Sequence, residues 1–253
     1  MSEHDNWDEH WDRYSAAASL NPAQGMRHAL VARLLRERRG TPGIRVLDIG
    51  SGQGDLIMKL RGLLPAAELA GFELSASGVE LSRKKTPNAR FVVADLFHPP
   101  AETAALAGWA TDAVCSEVLE HVDLPVDFLR AARLYLAADA RLIVTVPGGP
   151  MSAFDRHIGH RQHFTRRSIT AVLQSAGFSV ERTYLSGFPF FNLYRGLVIA
   201  RGERLVTDVG PGKDGLSTRL ANAMMAVFRG LFRFNLMDCP LGWQVVAVAR
   251  KEG

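Results

Sequence analysis

The chain has 253 residues, 47% of them apolar and 22% charged, which is enough to bury a sizeable core and excludes disordered, collagenous and low-complexity classes. Its only cysteines, Cys115 and Cys239, stand far apart, which excludes a disulfide framework and a CxxC metal knuckle. The net charge of +4 is spread over dispersed basic residues with acids between them, and no aromatic and basic run offers a platform for nucleic acid. The first residues, MSEHDNWDEHWD, are acidic and aromatic, unlike a secretory leader. No apolar stretch reaches the roughly 18–20 uninterrupted residues of a membrane span. A cytoplasmic protein without a transmembrane segment is the expectation.

In chain order, Pro22 to Arg39 carries Met26, Leu30, Leu34 and Leu35 at helical spacing and stops at Gly40-Thr-Pro-Gly43. Ile44 to Ile49 reads as a strand, followed by a glycine loop and a helix from about Asp55. Glu68 to Glu73 is a second strand, with a helix starting at the Ser75 cap, and Arg90 to Ala94 a third. Asp112 to Cys115, Arg141 to Val146, Phe178 to Tyr184 and Gln244 to Arg250 read as further strands. Helices over Pro125–Leu136 and Arg166–Ala176 lie between them, and Pro147-Gly-Gly-Pro150 closes the fifth strand. Nearly all-apolar strands alternating with helices predict an α/β fold with a doubly wound, mostly parallel sheet covered on both faces. Ligands of such sheets bind beyond the carboxyl ends of the strands. Residues 186–240 break the rhythm and read as two amphipathic helices inserted before the last strand.

The first strand runs into Asp48-Ile-Gly50-Ser51-Gly52-Gln-Gly54, whose GxGxG spacing departs from the GxGxxG of a pyrophosphate cradle. Asp48 before the glycines would repel phosphate and attract a cation. Glu73, at the end of the second strand, suits a ribose diol, and Asp95, at the end of the third, suits an exocyclic amine. Singly each acid reads as a helix cap. Together around one glycine loop they describe a ligand with an ammonium, a ribose and an adenine, and no phosphate.

These motifs, VLDIGSGQG, GFELS, VVADL and CSEVLEHV, with the glycine-proline loop after RLIVTVP, resemble the class I S-adenosylmethionine-dependent methyltransferases over about residues 21 to 185 plus the final strand. The resemblance implies a Rossmann-like sheet of seven strands with the last antiparallel. It places Gly50, Ser51, Gly52 and Gly54 along the methionine part with Asp48 near its ammonium, Glu73 and Leu74 at the ribose, Asp95 and Leu96 at the adenine, and Glu117 shaping the pocket. Residues 1–40 would form an N-terminal lid and leading helix, 41–185 with 241–253 the cofactor-binding core, and 186–240 an acceptor or interface cap. Trp11 or Tyr14 would cover the sulfonium and Arg27 would pair with the methionine carboxylate, or these aromatics simply dock the segment on the core.

The segment Glu117-Val-Leu-Glu120-His121 is similar to that of ubiquinone-biosynthesis O-methyltransferases. Spacing i, i+3, i+4 predicts Glu117, Glu120 and His121 on one helical face, a set suited to a divalent cation such as Mg2+ or Mn2+. The downstream loop Asp155-Arg-His157-Ile-Gly-His160-Arg-Gln-His163 offers a further ligand. The resemblance favours His160 over His163, and with two histidines zinc or iron also fits. His121 as a general base without a metal, or as a buried structural histidine, are the competing readings. A hydroxyl acceptor follows from either chemical role, because an oxygen nucleophile needs deprotonation. The expected activity is therefore O-methylation of a small, glycosidic or quinone-like molecule. RNA 2′-O-methylation and a catalytically silent binding subunit are the alternatives. The Phe- and Met-rich residues 186–240 would wall an acceptor pocket, form a homodimer interface or touch a membrane peripherally through flanking Arg219, Arg229 and Arg233; the plainest use is closing the core.

Overall fold

The computed structural model describes residues 7, 8, 11, 21–201 and 216–253. Its elements run α1 (Pro22–Leu35), β1 (Arg45–Ile49), α2 (Asp55–Leu63), β2 (Glu68–Glu73), α3 (Ala76–Lys85), β3 (Arg90–Val93) and β4 (Ala110–Ser116). These are followed by α4 (Pro125–Arg133), β5 (Leu136–Pro147), α5 (Ala153–His157), α6 (Arg166–Ser175), β6 (Phe178–Ser186), α7 (Phe190–Arg201), α8 (Leu216–Leu231) and β7 (Gln244–Lys251). The sheet has seven strands in the order β3-β2-β1-β4-β5-β7-β6. Strands β1 to β5 are parallel, and β7 is antiparallel to both neighbours, β5 and β6. The strand order reverses between β1 and β4, which opens a crevice at their carboxyl ends.

Burial explains why the strands read as continuous apolar runs. One face packs Leu47, Phe72, Leu142 and Val144 under α4 and α6, through Leu129, Ile169 and Leu173. The other packs Val46, Ile143 and Val246 under α1 and α2, through Leu30, Leu34, Ile57 and Leu60. Asn21 accepts from Ala23 N and Pro22 begins α1, as expected of that start. The fourth and fifth strands exceed their predicted bounds, because β5 pairs from Leu136 onward with a register shift between Ala110 and Asp112 on β4.

The inserted helices join the second core face. Phe191, Phe228 and Phe232 are buried against α1, and Tyr194 packs edge-on to Phe228 and Phe232. Core closure is thus the use seen for the insertion's inward aromatics, while Val227, Phe234 and Leu236 stay exposed. Among the described residues, no helix is long and apolar enough to cross a membrane. Tyr14 and the side chain of Arg219 lie outside the described residues.

Candidate functional site

The glycine loop between β1 and α2 is fastened to β2. Gly50 N and Ser51 N both donate to Phe72 O, at 2.8 and 2.9 Å. Glu73 accepts from Gly52 N at 2.7 Å through one carboxylate oxygen and from Ser75 N at 3.0 Å through the other. Gly54 begins α2 at φ +78°, and a Cβ there would stand 2.8 Å from Ser82 Oγ, so only glycine fits this turn.

A cavity of about 530 Å³ opens beside this loop at the carboxyl ends of β1, β2 and β4. Among its walls are Gly50, Glu73, Leu74, Asp95, Leu96 and Glu117, which gathers these six of the expected cofactor residues into one place. Asp48, Ser51, Gly52 and Gly54 are not among its lining residues. Arg27 is also outside it, drawn to Glu117 at 3.4 Å. Asp95 accepts from Phe97 N at 2.9 Å and sits 3.1 Å from His98 Nδ1. Trp7 and Trp11 line the cavity from the N-terminal side, with Asp8 between them accepting from Ser75 Oγ and Ser77 N. No described residue of 186–240 lines it, which departs from the expected acceptor wall.

Burial, aided by the nearby Glu73 carboxylate, raises the pKa of Asp48 to about 7. Glu73 is raised for the same first reason, burial. A carboxyl raised on folding stabilises the fold fully below its unfolded value and loses that contribution as pH rises through the folded value. The ligand-free protein is therefore expected to lose thermal stability between about pH 4 and 7 as Asp48 ionises. Asp48→Asn should flatten that part of a Tm-against-pH curve; an unchanged slope would place the titration elsewhere.

The expected helical face after β4 does not form. Glu117 takes φ +56°, a left-handed conformation uncommon for a residue with a side chain, and Leu119–His121 make a single 3-10 turn. The side chains therefore diverge. Glu117 accepts from Gln244 Nε2 at 2.9 Å and Thr145 Oγ1 at 3.2 Å, and pairs with Arg27. It falls outside the potential metal-ligand cluster, which corrects its expected place among the ligands. Glu120 instead turns inward, fully buried, and among the described residues neither of its carboxylate oxygens finds a hydrogen-bond partner. Ligand atoms of Glu120, His121 and His160 lie within 4.8 Å of one another. The three rings follow in sequence, Trp7 edge-on to His121 at 4.9 Å between centroids and His121 edge-on to His160 at 4.8 Å.

Burial, then the neighbouring Glu117 carboxylate, hold Glu120 well above the usual carboxylate range. Burial and His121 depress His160 to about 3, so its ring is neutral. A buried carboxyl without a partner, beside two imidazoles, is costly by itself and is the donor set a divalent cation would satisfy. These residues therefore fit a metal of the zinc, iron or manganese type.

The loop bearing His160 is anchored from below. Asp155, fully buried, accepts from Ser152 N at 2.7 Å and Ser152 Oγ at 2.8 Å, closing a capping box at the start of α5. Arg195 Nη2, from α7, lies 2.9 Å from both of its oxygens. Burial opposes ionisation of Asp155, yet these hydrogen bonds prevail and hold its pKa at about 2. Thr145, Gln244 and Arg195 were invisible to motif reasoning. The one available signal is the uncharged amide Gln244 at the head of the otherwise apolar run VVAVA.

Comparison with known proteins agrees with this fold. The family described as "Methyltransferase domain" matches residues 23–183, well over half of the chain. The mitochondrial ubiquinone biosynthesis O-methyltransferase of Schizosaccharomyces pombe is 27% identical over 140 residues, 53% of this chain and 49% of that protein. Its counterpart in Roseobacter denitrificans is 34% identical over 95 residues, 37% of each chain. The chain thus matches about half or less of the length of these curated relatives. Among solved structures, the [4+2]-cyclase SpnF superposes with a TM-score of 0.56 at 18% identity, over 88% of this chain and 80% of that one. At that identity the likeness is one of fold.

Proposed function

This chain belongs to the methyltransferase-domain family, with the fold and motifs of the class I S-adenosylmethionine-dependent enzymes, and from that premise we propose that it methylates a hydroxyl of a small or glycosidic molecule with the help of a divalent metal. The observation that carries the metal is the fully buried, unpartnered Glu120 carboxylate facing His121 and His160 beside the cavity. When bound, S-adenosylmethionine supplies an electrophilic methyl group and the metal lowers the pKa of the acceptor hydroxyl.

The chain's own residues do the positioning. Glu73 accepts from the ribose hydroxyls while its bonds to Gly52 and Ser75 fix the loop. Asp95 and Leu96 bound the adenine end. Val118, Val122, Leu124 and Phe128 give the cavity apolar walls that exclude water. Holding the acceptor oxygen in line with the methyl group supplies much of the rate. Glu120, His121 and His160 hold the metal, with His121 nearest the aromatic lid formed by Trp7. Similarity to ubiquinone biosynthesis O-methyltransferases supports oxygen as the acceptor atom.

Titrating Mn2+ and Zn2+ into the protein by calorimetry tests this reading. Glu120→Met should weaken metal binding by more than the about 10–100-fold typical of outer-shell changes. The same substitution should raise the Tm of the metal-free protein, since it removes a buried carboxyl whose desolvation costs about 1–3 kcal/mol. A parent protein that binds S-adenosylmethionine but no metal would leave His121 as a general base and refute the metal.

A further inference from the structure

We infer that His163 is a positioning residue, whose role is to fix which nitrogen of His160 carries the proton and so to leave Nε2, the ring nitrogen that His163 does not engage, as the electron-pair donor His160 brings to its group with Glu120 and His121. The inference rests on the proposed metal site only for the use made of that electron pair.

The argument starts from the capacity of a neutral imidazole, which has one N–H donor and one lone pair. An imidazole of ordinary basicity is neutral above about pH 6.5, so at the neutral pH of the test each ring has one N–H and one lone pair to place. His163 Nδ1 lies 3.2 Å from Gly149 O. A carbonyl oxygen only accepts, so Nδ1 of His163 carries the hydrogen and Nε2 carries the lone pair. That Nε2 lies 3.2 Å from Nδ1 of His160. Two lone pairs cannot face each other at this distance, so Nδ1 of His160 carries its hydrogen and donates. Nε2 of His160 is then bare. The order runs Gly149 C=O, His163, His160, and each link dictates the next.

Asp155 cannot take over either link. Its carboxylate lies 4.0 Å from His160 Nδ1 and 3.9 Å from His163 Nε2, beyond hydrogen-bond range. Its oxygens are already engaged by Ser152 and Arg195. The close grouping of Asp155, His160 and His163 is for the same reason a poor second cation site, since the Arg195 guanidinium already neutralises the carboxylate. Backbone bonds hold the frame. His160 N donates to Asp155 O at 2.9 Å, Arg161 N to Glu120 O at 2.8 Å and Phe164 N to Pro147 O at 2.9 Å. Gly149, source of the terminal carbonyl, sits at φ +69° with the Trp243 ring 2.7 Å from where a Cβ would stand. The glycine-proline turn after β5 thereby acquires a purpose: it presents the carbonyl that sets both tautomers. A ligating histidine whose second nitrogen is held by an outer-shell partner is the usual means of orienting such ligands.

Long-range 1H–15N correlation spectra of the metal-free full chain at neutral pH read the tautomers directly. Protonated Nδ1 on both His160 and His163 is expected; a protonated Nε2 on His160 overturns the inference. In His163→Gln, the amide can donate to Gly149 O and accept from His160, so the His160 spectrum and the affinity for Mn2+ should be kept. In His163→Leu, His160 loses its acceptor, should shift toward the Nε2–H tautomer, and Mn2+ affinity should fall about 10–100-fold. An unchanged His160 spectrum in the Leu variant also overturns the inference. Should that variant fail to fold, the parent and Gln spectra still decide. Correct tautomers in a parent that binds no metal would refute the metal reading alone, with His160 Nε2 left as a proton acceptor.

Discussion

Replacing Arg195 with leucine is expected to lower stability at neutral pH by about 3–5 kcal/mol, a fall in Tm on the order of 10 °C. The size follows from where the partner lies. Asp155 is fully buried, and among the described residues Arg195 is the one cation within bonding distance of its oxygens. Without the guanidinium, Asp155 must keep an uncompensated charge in the interior or take up a proton. Either course weakens the capping box of α5 and loosens the link between α7 and the loop carrying His160. The pH dependence gives the diagnostic sign. A carboxyl lowered to about 2 stabilises the fold above its unfolded value near 4, and loses that contribution as pH falls through 2. The deficit of Arg195→Leu relative to the parent should therefore be full at pH 7 and shrink toward pH 2. Adding Asp155→Asn to the leucine variant should restore part of the loss, because the buried charge is gone. Urea unfolding at pH 7 and pH 3.5 measures all three chains. A deficit that does not diminish in acid would assign the loss to packing of the arginine stem instead.

Glu73→Ala should weaken S-adenosylmethionine binding by about 100-fold or more. Two effects combine. The ribose loses charge-assisted hydrogen bonds, each worth about 1.5–3 kcal/mol. Gly52 N and Ser75 N also lose their common acceptor, so the glycine loop is no longer held to the end of β2 by this carboxylate. Glu73→Gln keeps one acceptor oxygen and should fall between the two. Calorimetry with the parent and both variants reads the order directly. Equal affinities would mean that the ribose is held by other groups, and would remove the residue from the cofactor site.

Much of the sheet was legible because its strands are buried on both faces, so that Val46-Leu-Asp-Ile49 and Arg141-Leu-Ile-Val144 show as apolar runs without alternation. The acid at the end of β2 and the glycine loop were legible for a related reason: position at a strand end and residue type together restrict the chemistry. The region after β4 was not. Three residues are too few for periodicity to tell a helix from a 3-10 turn, and a left-handed residue such as Glu117 resets the direction of all that follow it. What holds Glu117 is equally hidden, since Gln244 lies 127 positions further along the chain. The insertion left several uses open, and the plainest of them is the one its inward aromatics serve. Phe191, Phe228 and Phe232 have the composition of a ligand pocket, but the cover that α1 needs consumes them.

The place of β7 has a bearing on how the molecule comes into being. It lies between β5 and β6, and β6 has no other partner in the sheet. During synthesis, β6 must therefore wait outside the finished layer until Gln244–Lys251 leave the ribosome and slot in antiparallel. Gln244, the first residue of that strand, is also the one that grips Glu117. Binding competence is thus acquired late, in the same step that closes the sheet, and a nascent chain halted short of Gln244 exposes β6 as an open edge for chaperones and proteases to recognise.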